Sequence, residues 1–187
     1  MRQQPDFASD VSAIRCSKAM TTFLCTSKYR KTFGLPERLV TVEQPECALG
    51  PWYANTLNVG PQRMLHYMSS PSLLSVVIFL RDRHSAQQRF VRALSELLRS
   101  LNVSERYVEL EVDCMGKTQY GRASDRSKLG SLRDQAYMAS GDFDDGLSLA
   151  EINERLAITP CGPMGYKSPR AVAPALLEQT WRRKAAN

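Results

Sequence analysis

The 187-residue chain is expected to fold as an α+β protein, a mixed or antiparallel sheet packed by one long amphipathic helix and several shorter ones. Three observations lead there. Phe90, Val91, Leu94, Leu97, Leu98 and Leu101 recur on a helical period and form one continuous apolar face. The β-rich runs Trp52 to Val59 and Arg63 to Met68 flank Gly60-Pro61, as the arms of a hairpin would. The run Leu74 to Leu80 is short and rich in β-branched residues, which favours a buried central strand over a helix.

The elements follow in chain order. Residues 1–19 are mostly polar and read as a flexible extension, with Met20 as an alternative start. Thr22 to Thr26 reads as a short strand, and Ser27 is placed to cap a brief helix from Lys28 to Phe33. Gly34 then Pro36 ends it, a residue free to turn left-handed followed by one that cannot continue a helix. Pro45 to Pro51 reads as a loop before the hairpin. The long helix covers Ser85 to Leu101, and its apolar stripe requires a sheet or another helix to cover it.

Ser104 to Cys114 is open between helix and strand, because Val108-Glu109-Leu110-Glu111-Val112 alternates with a two-residue period. Thr118 to Ala123 reads as a strand. Ser131-Leu132-Arg133-Asp134 has the form of a capping box and predicts a helix opening at Ser131 and running to about Ala139. Gly141 to Gly146 reads as a solvated acidic loop. Ser148 with Glu151 is a second capping box, and Ser168-Pro169 opens the last helix, with Pro174 inside it. Domain organisation follows: an extension over 1–19, a single α+β domain over 20–180, and a basic tail over 181–187.

Charge bounds the function. The net charge is +6, and residues 61–140 hold 12 basic groups, mostly arginine, against 8 acidic ones. A mid-chain surplus of that kind suits a nucleic-acid partner, which demands clustered cations, and equally suits a soluble protein kept away from zero charge. Five cysteines, Cys16, Cys25, Cys47, Cys114 and Cys161, lack any C-x-x-C pair, and the two histidines, His66 and His84, lie apart from them in sequence. No metal site is expected from such spacing. Reduced, mostly buried thiols in a cytoplasmic protein are the expectation. The longest apolar run, 73–80, is too short to span a bilayer.

The candidate site is Arg126, Lys128, Gly130 and Ser131. If a helix opens at Ser131, its free amides and dipole favour an anion, the two cations add charge beside it, and Gly130 permits close approach. The G-x-x-x-x-G-K-[ST] spacing of a phosphate-binding loop is absent. Asp142, Asp144 and Asp145 lack the ligand alternation of a calcium loop. No serine elbow or thiol signature accompanies the histidines. The residues therefore point to a binding or interaction protein, with a protein or a nucleic acid as partner and no cofactor. The alternative is an enzyme on a phosphorylated or nucleotide substrate, using His66, Asp125 or His84.

Several segments together resemble a family of uncharacterised prokaryotic proteins known only as a domain of unknown function. They are Phe23 to Lys28 leading to Leu35, Gly50-Pro51-Trp52-Tyr53-Ala54-Asn55, and Asp125-Arg126-Ser127 with Gly130-Ser131 and Asp134. Glu151 to Leu156 before Thr159-Pro160, and Gly165-Tyr166-Lys167 before Pro169, add weaker matches. The resemblance covers about residues 20–177 and implies a compact α+β fold, often encoded in bacterial or mobile-element genomes. It implies no activity, cofactor or catalytic residue.

Overall fold

A computed structural model of the chain describes residues 19–37, 39 and 47–186. The expected extension lies almost wholly outside the described residues. Five strands form one sheet: β1 (Met20–Cys25), β2 (Trp52–Val59), β3 (Gln62–Ser69), β4 (Ser75–Phe79) and β5 (Lys117–Arg122), in the spatial order β4-β3-β2-β1-β5. Strand β1 pairs in parallel with both β2 and β5, whereas β2-β3 and β3-β4 are antiparallel. The sheet is therefore mixed, with β3 alone running against the rest.

The hairpin turns where the sequence places it. Gly60 sits at φ 54°, the left-handed conformation needed at the first position of a tight hairpin turn, and Asn58 pairs with Arg63 across it. Six α-helices cover the sheet: α1 (Ser27–Phe33), α2 (Ala86–Ser100), α3 (Glu105–Asp113), α4 (Arg126–Asp144), α5 (Leu149–Ile158) and α6 (Pro169–Ala185).

Side chains alternate along a strand, so the two faces of the sheet have separate cores. On one face Phe23, Trp52, Ala54, Leu65, Tyr67 and Val76 meet α2 and α1. Phe90 of α2 lies against Phe23, Trp52 and Tyr67, with ring centroids 4.5–5.6 Å away. Offset and edge-on rings at such separations add to the area they bury. On the other face Leu57, Val59, Met64 and Val77 pack against Ala136 and Ala139 of α4 and Ile152 and Leu156 of α5. The predicted long helix thus takes the place its stripe required.

Several expectations need correction. Helix α4 opens at Arg126, not Ser131. Asp125 caps it, its Oδ1 accepting from the amides of Ser127 at 2.8 Å and Lys128 at 3.1 Å. The reason lies in packing: the earlier start carries Leu129 and Leu132 onto the sheet beside Tyr53 and Met68. The helix also runs through the expected acidic loop. Asp142 is buried in its last turn, with Oδ1 3.3 Å from Arg155 Nη1.

The open segment 104–114 is a helix, because Val108 and Glu111 both point inward and the apparent strand period counted Glu111 as an outward residue. The expected basic tail is helical through Ala185, and Trp181 is buried in the core. Cys25, Cys47 and Cys161 form no disulfide, but Cys114 is disulfide-bonded, against the expectation of reduced thiols. Sequence spacing had no means to reveal that pairing.

The Ser148 capping box forms as predicted: Ser148 Oγ accepts from the Glu151 amide at 3.4 Å, and Glu151 Oε2 accepts from the Ser148 amide at 2.8 Å. Ser148→Ala is expected to lower stability by about 1 kcal/mol, read from the urea midpoint at constant m-value. A change below about 0.3 kcal/mol would mean α5 is held by its packing alone.

Candidate anion-binding site

Helix α1 begins as β1 ends. Thr26 caps it by accepting from the Tyr29 amide at 3.3 Å and donates its own hydroxyl to Asn55 Oδ1 at 2.9 Å, so the helix is tied to strand β2. This fixes the helix's rotation. Tyr29 turns inward against Tyr67 and Phe33, while Lys28 and Lys31 stay exposed.

Beside these lysines lies an open cleft of about 360 Å³, lined by Lys28, Lys31, Thr32, Thr56, Asn58, Arg63 and Arg83. Thr56 and Asn58 lie two residues apart on β2 and so share a face of the sheet. Arg63 stands opposite Asn58 at the start of β3, and Arg83 comes from the connection between β4 and α2. Four cations thus meet with no carboxylate in the lining among the described residues. None of the four forms an ion pair among the described residues. The nearby Asp82 is already engaged, accepting from the Ser85 amide and hydroxyl at 2.9 and 2.8 Å. Those bonds hold its carboxyl down at about 2, so it remains ionised and tied to the loop.

The floor of the cleft carries the second notable feature. Thr56 is only 5% exposed, and its Oγ1 is buried without a hydrogen-bond partner among the described residues. Other threonines of the sheet are satisfied: Thr21 accepts from Gln87, Thr22 from Gln119, and Thr118 donates to Gln87.

The residues singled out from the sequence lie elsewhere. Arg126 is exposed and Lys128 half-buried in the first turn of α4, and neither pairs with a carboxylate among the described residues. Neither belongs to the lining of the cleft. Gly130 and Ser131 lie inside the helix, and Ser131 is buried with its hydroxyl on the Ser127 carbonyl at 3.3 Å. Amides inside a helix are committed to the turn before, so Ser131 presents no open helix terminus.

His66 is fully buried, its Nε2 2.8 Å from Ser75 Oγ, and burial lowers its pKa to about 3. His84 is exposed on the connection after β4 and outside the cleft lining, while Asp125 serves as the α4 cap. The structure does not assemble these three into one site. Burial pushes the Cys25 thiol up to about 12, which leaves it protonated and unreactive at neutral pH. No cluster of His, Cys, Asp and Glu fit to hold a metal occurs among the described residues. No helix among them is long and apolar enough to cross a membrane.

Sequence reasoning missed the cleft because its lining comes from four separate stretches between 28 and 83. The signal available was the i, i+3 pair Lys28 and Lys31, which falls on one side of a helix.

The sequence pattern described as a domain of unknown function, DUF6933, matches residues 22–172. The chain belongs to the DUF6933 family. The match spans both faces of the sheet and every element of the cleft, so the cleft is part of the DUF6933 domain itself. No curated protein matches this DUF6933 chain at a significant level. Among solved structures it is similar to the catalytic core domain of BIV integrase, at 11% identity and a TM-score of 0.42, over 71% of this chain and 96% of that one. A likeness at that level carries no functional argument.

Proposed function

We propose that this DUF6933 domain is a non-catalytic binding protein for an anionic partner, nucleic acid foremost, held in the cleft beside α1. The observation that carries the reading is the convergence of Lys28, Lys31, Arg63 and Arg83 on one concavity, with no carboxylate in its lining among the described residues. Four like charges brought together repel one another, and a polyanion relieves that repulsion while releasing its own counterions. Arg126 and Lys128 enter the proposal as a second pair of cations, acting as point charges on the ligand backbone rather than through an open helix terminus. Gly130 and Ser131 have no part in it.

The test is fluorescence anisotropy with labelled DNA and RNA strands across a salt series. Lys28→Gln with Arg63→Gln is expected to weaken binding at least about tenfold and to reduce the slope of log K against log salt by about 2 units. Arg126→Ala with Lys128→Ala is expected to give a smaller loss, uniform across sequences. Absence of strand binding at low salt would remove nucleic acid as the partner, and full affinity in the Lys28 and Arg63 double variant would reject the reading itself.

A further inference from the structure

We infer that the cleft takes successive phosphate groups of a phosphodiester strand, with the Thr56 hydroxyl as a neutral donor at its floor, and that it leaves the bases unread. This rests on the reading of the cleft as an anion site and names the chemistry of its occupant.

Three features of the lining support it. The first is charge density. Lys28 and Lys31 stand three residues apart on α1, and Arg63 and Arg83 approach from the hairpin and the β4–α2 connection. A single carboxylate leaves most of that charge unmatched, whereas adjacent phosphates along a strand supply negative charge at short, regular intervals.

The second is Thr56. A desolvated hydroxyl without a partner is unfavourable, and neighbouring threonines in the same sheet all have one. A phosphate oxygen entering between the flexible lysine and arginine side chains accepts from that hydroxyl and completes its hydrogen bonding. Hydrogen bonds to an ionised acceptor are the stronger kind.

The third is composition. The lining has no aromatic side chain among the described residues. Tyr29, the aromatic residue next to Lys28 in sequence, is 1% exposed and committed to the core. Strand-binding sites that hold bases use aromatic faces to stack them. With those faces turned inward, the cleft contacts the backbone alone and so tolerates any sequence.

The experiment uses the full chain and single strands of roughly twelve nucleotides, a length within ordinary single-strand site sizes. The probes are oligo-dT, oligo-dA and an abasic strand of equal length, with inorganic tripolyphosphate and poly-glutamate as competitors. The three strands are expected to bind within about threefold of one another, since bases add nothing. Tripolyphosphate should compete, and poly-glutamate should not. Thr56→Val should weaken all three strands about tenfold while leaving the salt slope unchanged, because it removes a neutral donor. Thr56→Ser should restore the loss, and circular dichroism should find both variants folded.

A large preference among the bases, loss of binding to the abasic strand, or an unaltered affinity in Thr56→Val would overturn the inference. Tripolyphosphate binding without strand binding would assign the site to free polyphosphate, and effective competition by poly-glutamate would assign it to acidic protein. Either outcome also overturns it. In each of these cases cleft-dependent, salt-dependent binding leaves the anion-site reading standing. Only the absence of any binding that depends on Lys28 and Arg63 removes both.

Discussion

Between about pH 4.5 and about pH 6.5, Glu111→Gln is expected to convert a nearly flat stability profile into one that rises by about 2 kcal/mol, and His66→Gln into one that falls by as much. Both groups are fully buried, and they act in opposite directions. Burial raises the Glu111 carboxyl to about 7, against the pull of the Leu49 and Ala48 amides, each 2.8 Å from one of its oxygens. The Trp181 indole also favours the charged form, although its N–H makes no well-formed hydrogen bond.

Between 4.5 and 7 the folded protein keeps a proton on Glu111 that the unfolded chain has lost, so this contribution declines as pH rises. His66 works the other way. Its imidazole is neutral in the fold down to about 3 but charged in the unfolded chain below 6.5, so stability declines as pH falls. In the wild type the two slopes offset. Each glutamine variant also shifts stability by a constant amount, which leaves the slope untouched.

The exposed carboxyls of Asp82, Glu105 and Glu151 are lowered by local hydrogen bonds and act below this window, with stability lost as the pH falls. Urea titrations at closely spaced pH values provide the measurement. A wild-type profile that rises steeply across the window, or a Glu111→Gln profile that stays flat, would contradict the balance.

Asn153→Leu is expected to cost about 2–4 kcal/mol, a large effect for a single amide. Strand β4 ends the sheet, so Val77 presents its N–H and C=O away from β3. Helix α5 brings Asn153 against that edge, where Oδ1 accepts from the Val77 amide at 2.7 Å and Nδ2 donates to the Val77 carbonyl at 3.3 Å. One side chain therefore does for Val77 what a neighbouring strand would. Leucine matches the shape and leaves both backbone groups buried without partners. An open strand edge also invites pairing with a second chain. Chemical denaturation would measure the cost, and sedimentation would detect association. A loss below about 1 kcal/mol would mean that water replaces the amide there at little cost.

The same contrast runs through what was legible beforehand. Local signals were read correctly at the helix stop, the hairpin and the apolar stripe, but Thr26 caps α1 in place of the expected Ser27, which is already helical. Gly34 ends α1 at φ 65°, Gly60 turns the hairpin, and the stripe from Phe90 to Leu98 faces the sheet. The α4 start was misread because two cap sequences compete within ten residues, Asp125 and Ser131. The choice between them depended on whether Leu129 finds a partner across the sheet, which no local rule supplies. Glu111 misled in a related way. An ionisable residue is normally counted as exposed, and this one is fully buried because the 48–49 backbone supplies its donors.

The amino-acid order by itself determined the fold class, most of the elements and the mid-chain surplus of arginine. Tertiary structure alone decided that β1 enters between β2 and β5, that α1 lies beside the hairpin, and that Lys28, Arg63 and Arg83 become neighbours. The reason is physical. Helix caps, turns and apolar periods depend on residues a few positions apart, whereas parallel pairing and a shared cleft join segments whose proximity exists only once the chain has closed its long loops.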